Sequence, residues 1–437
     1  MKKRSIVLSV LLLIGLGSAE VFANIDNLSN MSVEWMRTCN RNAATDSTDI
    51  VVYNPAGLTS LSDGIHISLG NQTMLRSPEH SFDMGLGAGK KSFEQDTPDW
   101  FLPNFYAAYK QKNWAVFGGI YIPGGGAVAD YPDGSVTTQF IGAMTVLSSS
   151  GALTGFRNDN LEASSMYLTS TLGGAYAIND KISLALGVRY ISAKNETKAG
   201  ATFTDAFGGT HNFQLDYEDT ADGFGGIFGL ELFPMKNLNI GIRYESRVPL
   251  EFETELNRND FPAEFELADY KAKNRRDFPA TLGMGAAYMI RPGLTAELDF
   301  SWYFQKQANW GKSASGKDVS DLAGDCYSMG AALSYQMTPE LLVSGGLIFT
   351  KFLFDDMDAY YETMGAFEVL YSDNWNLGAG CAYEVTDGIK LNFALGWTIW
   401  ESETITYNNA AAAGLEPFEV DTENSTITFS LGVDIAY

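Results

Sequence analysis

The feature that most constrains this chain is a period of two sustained over runs of about ten residues. From Ser425 to Tyr437 the residues Ile427, Phe429, Leu431, Val433, Ile435 and Tyr437 are apolar. Between them stand Thr428, Ser430, Gly432, Asp434 and Ala436. Alternate residues of a strand face opposite sides, so one side is greasy throughout and the other is small or polar. The alternation recurs from Ile182 to Tyr190, Leu238 to Tyr244, Leu294 to Phe304 and Ile389 to Ile399. Soluble sandwiches alternate too, but their strands mostly run about five or six residues. A tilted membrane strand needs about 9–11. The pattern predicts an all-β wall with lipid on one face and a polar lumen on the other.

The connections fix the strand number. Tight turns are expected at Gln111 to Asn113, Asn179-Asp180, Pro234 to Asn237, Arg291 to Gly293, Thr338-Pro339 and Thr386 to Gly388. Long polar connections are expected at Gly124 to Glu162, Glu253 to Asn274, Gln305 to Asp325, Lys351 to Asp373 and Glu401 to Asn424. Short turns alternating with long loops match the two ends of an outer-membrane barrel. Six turns join twelve strands, and segments at Gly64 to Met74 and at the C-terminus bring the count to fourteen. The predicted fold is a 14-stranded antiparallel transmembrane β-barrel, monomeric and surrounded by outer-membrane lipid. Lipid cannot satisfy an open strand edge, so the wall must close. The final aromatic, Tyr437, resembles the terminal signal read by the outer-membrane assembly machinery.

The N-terminus sets the compartment. Lys2, Lys3 and Arg4 precede an apolar run from Ile6 to Leu16, and Val21-Phe22-Ala23 suits cleavage, so residues 1–23 read as a signal peptide. The run is too short to span a bilayer as a helix. The expected domains are this peptide, an N-terminal unit over 24–62, and the barrel over 63–437. An excess of 53 Asp+Glu over 29 Lys+Arg excludes a general nucleic-acid binder. Cys39, Cys326 and Cys381 are an odd number, so they are no complete disulfide framework. His66, His80 and His211 have no partner motif, so neither an enzyme nor a zinc site is expected, and no cofactor.

Residues 24–61 do not alternate. Ile25 to Asn40 has weak helical spacing, and Tyr53-Asn54-Pro55-Ala56-Gly57-Leu58 follows. Asn54 is a good helix N-cap and Pro55 suits the first helical position. This string resembles the hatch motif of the FadL-type transporters, which include long-chain fatty acid transporters and TodX-type channels for aromatic hydrocarbons. Trp114 to Gly125, Gly173 to Ala193, Ile240 to Val248 and Phe278 to Gly283 are similar to other segments of that family. The resemblance implies a barrel plugged by a small helical hatch, with Asn54, Pro55 and Ala56 as the hatch motif. It implies capture of apolar ligands at outer loops, a site in the lumen, and lateral exit at a kinked strand.

Candidate ligand residues follow from chemistry and parity. A fatty acid needs a greasy tunnel ended by a cation or hydroxyl. Parity points Arg189 and Arg243 into the lumen, where a lumen acid such as Glu245 or Glu297 is their structural alternative. Lys194 sits where the family often carries a base, although alternation points it outward. The run Phe140, Ile141, Met144, Val146 and Leu147 is apolar within a polar loop, as a capture surface would be. Pro123, Gly124 and Gly125 could break strand pairing and form a lateral gate, and Gly118-Gly119 is a second place for a kink. The expected function is uptake of hydrophobic molecules, foremost long-chain fatty acids, with aromatic hydrocarbons as the alternative. Acidic loops would repel carboxylates unless calcium bridges them. A general porin, an adhesin and an outer-membrane enzyme are the remaining readings.

Overall fold

The computed structural model describes residues 30–437, apart from 88, 96, 262–272, 314, 366, 369–370, 409 and 411–414. The signal peptide expected over 1–23 and the first residues of the hatch lie outside the described residues. Among the described residues fourteen wall strands form one closed antiparallel sheet. They are β1 (Gly64–Arg76), β2 (Asp99–Gln111), β3 (Trp114–Tyr121 with Gly125–Tyr131), β4 (Leu153–Asn179) and β5 (Ile182–Asp205). Next come β6 (Thr210–Met235), β7 (Leu238–Glu245 with Glu251–Asn259), β8 (Asn274–Arg275 with Ala280–Arg291), β9 (Leu294–Phe304) and β10 (Cys326–Gln336). The last four are β11 (Leu341–Phe352), β12 (Asn374–Thr386), β13 (Ile389–Trp400) and β14 (Ser425–Ala436).

β1 closes the wall by pairing with β14, from His66 opposite Ala436 to Arg76 opposite Thr426. Tyr437 extends the seam, since the Ile65 amide donates to the Tyr437 carbonyl at 2.8 Å. The apolar face of each strand points outward: Leu431, Leu391, Leu298 and Leu186 are exposed, while Ser430 and Thr428 face the lumen. No described helix is long and apolar enough to cross a membrane.

All six tight turns join neighbouring strands where the sequence placed them. The long connections differ. Residues 125–131, 153–162 and 253–259 are strand, and β4, β5 and β6 run for 27, 24 and 26 residues. Polar residues there read as loop, but ladder bonds need only a neighbouring strand and not a lipid-facing side chain. β3, β7 and β8 are each interrupted, at Ile122–Gly124, Ser246–Leu250 and Arg276–Pro279. Each interruption holds a proline (Pro123, Pro249, Pro279), which cannot donate to a ladder.

The long connections build a cap instead of hanging free. Segments Glu79–Phe82, Lys91–Glu94, Glu403–Tyr407 and Phe418–Glu423 form a separate four-stranded sheet. The helix Val136–Ser148 packs beside it, and Phe140 meets the Tyr407 ring edge-on at 4.9 Å. Trp310, Tyr360, Tyr361 and Phe418 complete an aromatic core. In this cap His80 accepts a hydrogen bond at Nε2 from the Val136 amide at 3.0 Å, and burial pushes its pKa down to about 3. The three cysteines are unbonded.

Candidate functional site

The lumen is filled on one side by the hatch. Its first described helix, α1 (Val33–Thr38), is capped by Ser32, whose hydroxyl accepts from the Trp35 amide and donates to Asp49. Arg41 binds Asp49 through two nitrogens, at 3.0 and 2.6 Å, and reaches Asp46 at 2.8 Å. A buried guanidinium is tolerable only with such fork-like pairing. The wall holds the hatch from several directions. The amides of Arg41 and Asn42 donate to Asp299 on β9, at 2.6 and 2.8 Å. Tyr106 on β2 donates to the Met31 carbonyl at 2.7 Å. Arg243 on β7 donates to the Val52 carbonyl at 2.7 Å.

Asn54 precedes the 3-10 helix Pro55–Ser60 at the expected cap position, with Pro55 first in the helix. Its side chain makes no capping bond. It crosses to the wall, donating to Glu231 on β6 at 2.6 Å, the Leu230 carbonyl at 3.1 Å and the Asn42 carbonyl at 3.3 Å. Capping is local and competes with this longer reach, and here the Asn54 amide is taken by the buried Glu231 side chain. Ala56 is fully buried. The hatch backbone touches the wall where it carries glycine. A Cβ on Gly346 would lie 1.8 Å from the Thr38 carbonyl, and one on Gly241 would lie 1.9 Å from that of Asn42.

Two chambers flank Trp35. The outer one, towards the long connections, is lined by Trp35, Tyr303, Gln305, Phe352, Trp400 and Arg76 among others, with about 800 Å³ of space free of protein, counting the solvent that opens into it. The inner one, with about 500 Å³ on the same count, is lined by Trp35, Tyr303, Arg243, Glu245, Asp299 and Pro123 among others. Trp35, Tyr303 and Ile348 belong to both, so the chambers adjoin.

Pro123 brings the inner chamber to a break in the wall. β2 pairs with β3 only from Phe105 opposite Ile120 downward, while the upper part of β3 pairs with β4 alone. Residues 100–104 of β2 and 122–127 of β3 therefore frame a window. Pro103 lies in its frame, where a missing N–H removes no ladder bond. Gly125 adopts φ +67, and a Cβ there would meet the Ser165 carbonyl at 2.7 Å. The Tyr167 amide still holds the Gly124 carbonyl at 3.0 Å, so the kink stays attached to β4. At the top, Asp99 bridges the window. It accepts from the Val128 amide at 3.0 Å and from Arg76 at 2.6 Å. Met74, Leu102 and Ile122 fill the opening from within. Outside, a bulge opposite Thr73 turns both Trp100 and Phe101 outward, 61% and 82% exposed.

Several sequence-stated candidates fall elsewhere. Gly118 and Gly119 pair regularly with Leu172 and Thr171, so β3 has no kink there. Gly119 instead leaves room for Tyr106 and the hatch residue Val51. Lys194 is on the outer face, bridged to Glu196 and Glu218, as alternation requires, and it does not line the lumen. Arg189 and Arg243 do face the lumen. Arg189 donates to Glu245 at 2.5 Å and to the Ser246 carbonyl, and lies over the Phe278 ring. Arg243 is 3.6 Å from the same carboxylate. The apolar run is no exposed loop. Phe140 and Met144 are buried in the cap core, Ile141 and Val146 are half-buried, and only Leu147 is exposed. The run folds as a helix because Ser135 and Thr138 form a capping box at its start. Ile141 and Gly142 line a groove of about 480 Å³ with Phe203, Leu215 and Phe261 from β5, β6 and the chain after β7. The chambers, Trp35, Gln305 and Asp99 were not singled out from the sequence.

The profile of one family, described as outer membrane protein transport protein (OMPP1/FadL/TodX), matches residues 22–437. Among solved structures, the chain is similar to a FadL homologue of Pseudomonas aeruginosa, with 12% identity and a TM-score of 0.66 over 95% of this chain and 99% of that one. It is similar to the toluene transporter TodX of Pseudomonas putida, with 12% identity and a TM-score of 0.62 over 95% and 100%. The toluene transporter TbuX of Ralstonia pickettii gives 15% identity and a TM-score of 0.59 over 94% and 98%. At these identities the likeness is one of fold. No curated protein matches the chain.

Proposed function

The chain belongs to the outer membrane protein transport family (OMPP1/FadL/TodX), and from that premise we propose that it is an outer-membrane channel for uncharged hydrophobic molecules. The groove beside Ile141 and Phe203 takes the molecule from outside, the two chambers pass it across Trp35, and the window at Pro123 releases it sideways into the outer leaflet. Asn54, Pro55 and Ala56 belong to the hatch that keeps water and ions from following. The chain works as a monomer without cofactor or energy coupling. Its last strand and Tyr437 serve assembly into the membrane.

One observation carries this reading: the inner chamber reaches the wall where the wall lacks a ladder. The charge state of the ligand follows from the ion pairs. Arg76 is held by Asp99, and Arg189 and Arg243 share Glu245, so a carboxylate would have to displace a buried partner. Displacing a buried partner leaves an uncompensated charge, which is costly. TodX and TbuX, whose fold this is, are toluene transporters, and toluene carries no charge. Long-chain fatty acids form the second reading, supported by the presence of Arg76 and Arg243 in the chamber linings.

The test is transfer of radiolabelled toluene and oleate into vesicles holding the purified barrel, beside mass spectrometry of ligands co-purified in mild detergent. Faster transfer of toluene than through protein-free vesicles is expected. A large steady ion conductance without transfer of either compound would mean a general porin.

A further inference from the structure

We infer that the outer chamber recognises an apolar molecule bearing one uncharged hydroxyl group, an alcohol or phenol, and that Gln305 reads that group. The inference rests on the uptake reading and adds a head-group preference to it. Gln305 follows β9 directly, opens the short turn Gln305–Gln307, and is 1% exposed. Neither its amide nitrogen nor its amide oxygen has a hydrogen-bond partner in the protein. The other amides of the chamber are engaged. Asn376 donates to Thr398 at 3.0 Å, Asn374 to the Ser372 carbonyl at 3.1 Å, and Asn30 to Gln72 at 2.8 Å. The indole N–H of Trp400, in the same lining, has no acceptor either.

A buried amide with both ends unmet is unusual in a folded protein. Both atoms are covered by protein, so the Gln305 side chain turns into the chamber to meet an entering group. The pair of unmet groups selects what that is. A hydrocarbon meets neither and would expel any water that did. A carboxylate accepts from the amide nitrogen but sets its charge against the amide oxygen. An ammonium does the reverse. A hydroxyl donates to the oxygen and accepts from the nitrogen or from Trp400. The rings of Trp35, Tyr303 and Phe352 enclose the apolar remainder.

Equilibrium binding of decane and 1-decanol to vesicles holding the intact barrel tests this, after correction for partition into protein-free vesicles. The wild type should hold 1-decanol about tenfold more tightly than decane, the effect of about one well-placed hydrogen bond. Gln305→Leu should abolish that preference. Trp400→Phe should reduce it in part, and serves if Gln305→Leu loses the compact electrophoretic mobility of a folded barrel. Equal affinity for the two probes in the wild type, or an unchanged preference in Gln305→Leu, would overturn the hydroxyl assignment and leave uptake standing. Failure of the wild type to bind either probe would overturn both.

Discussion

Removing the Asn54 amide takes the strongest donor from Glu231, which stays buried in the wall. A buried acceptor left without its donor costs about 1–3 kcal/mol. Asn54→Ala should therefore loosen the hatch by that order while the barrel, held by its ladders, stays folded. Combined with Pro55→Ala, it should lower ligand uptake; normal uptake by the double variant would remove the hatch from the mechanism. His80 gives a second prediction, in the cap. Its imidazole is neutral, with a pKa near 3 when folded and about 6.5 when free. The unfolded cap takes up a proton that the folded cap refuses. The stabilisation is thus complete above about pH 6.5 and is lost as the pH falls towards 3. Protease sensitivity of the outer loops should rise across that window, and a His80→Gln variant should show a flatter profile.

At the scale of elements, the window is defined by what β2 and β3 fail to do. Above Phe105 they share no ladder, and Asp99 substitutes a carboxylate for the missing backbone bonds. Arg76 joins the same carboxylate and also lines the outer chamber, so a ligand there sits beside the group that holds the window shut. Asp99→Ala removes a charge-assisted bond worth about 1.5 kcal/mol or more, roughly a tenfold shift towards the open window. Transfer should quicken, and a cysteine at the buried Asn104 position should react faster with a lipid-soluble maleimide. No change in either measure would mean that the apolar residues Met74, Leu102 and Ile122 alone hold the window. Pro123 made this interruption visible beforehand; Pro249 and Pro279 carried the same signal for β7 and β8. Gly118-Gly119 looked like a kink because glycine weakens strands, yet its pairing is regular. Its use is close approach of the hatch, which depends on a segment more than sixty residues away.

For the whole molecule, the prediction concerns sealing. The hatch backbone meets the wall at Gly346, where a Cβ would strike the Thr38 carbonyl. Gly346→Val should push α1 from the wall and raise steady ion conductance in a planar bilayer, while the native barrel conducts little. High conductance of the native protein would contradict the plug. The sequence by itself determined the wall. Side-chain period, strand length and turn spacing are local, and a lipid-facing wall must close whatever fills it, so fourteen strands and their outward faces could be read from residue order. Its resemblance to the FadL-type transporters pointed to Asn54, Pro55 and Ala56, and Pro123 marked where the ladder of β3 is interrupted. Only the tertiary structure decided that Asn54 reaches Glu231 instead of capping its helix, that Arg189 and Arg243 are taken by Glu245, that Lys194 lies outside, and that Phe140 is core. Each depends on which side chains from distant strands converge in the lumen or cap. Alternation states the face of a residue but not its partner across the bore.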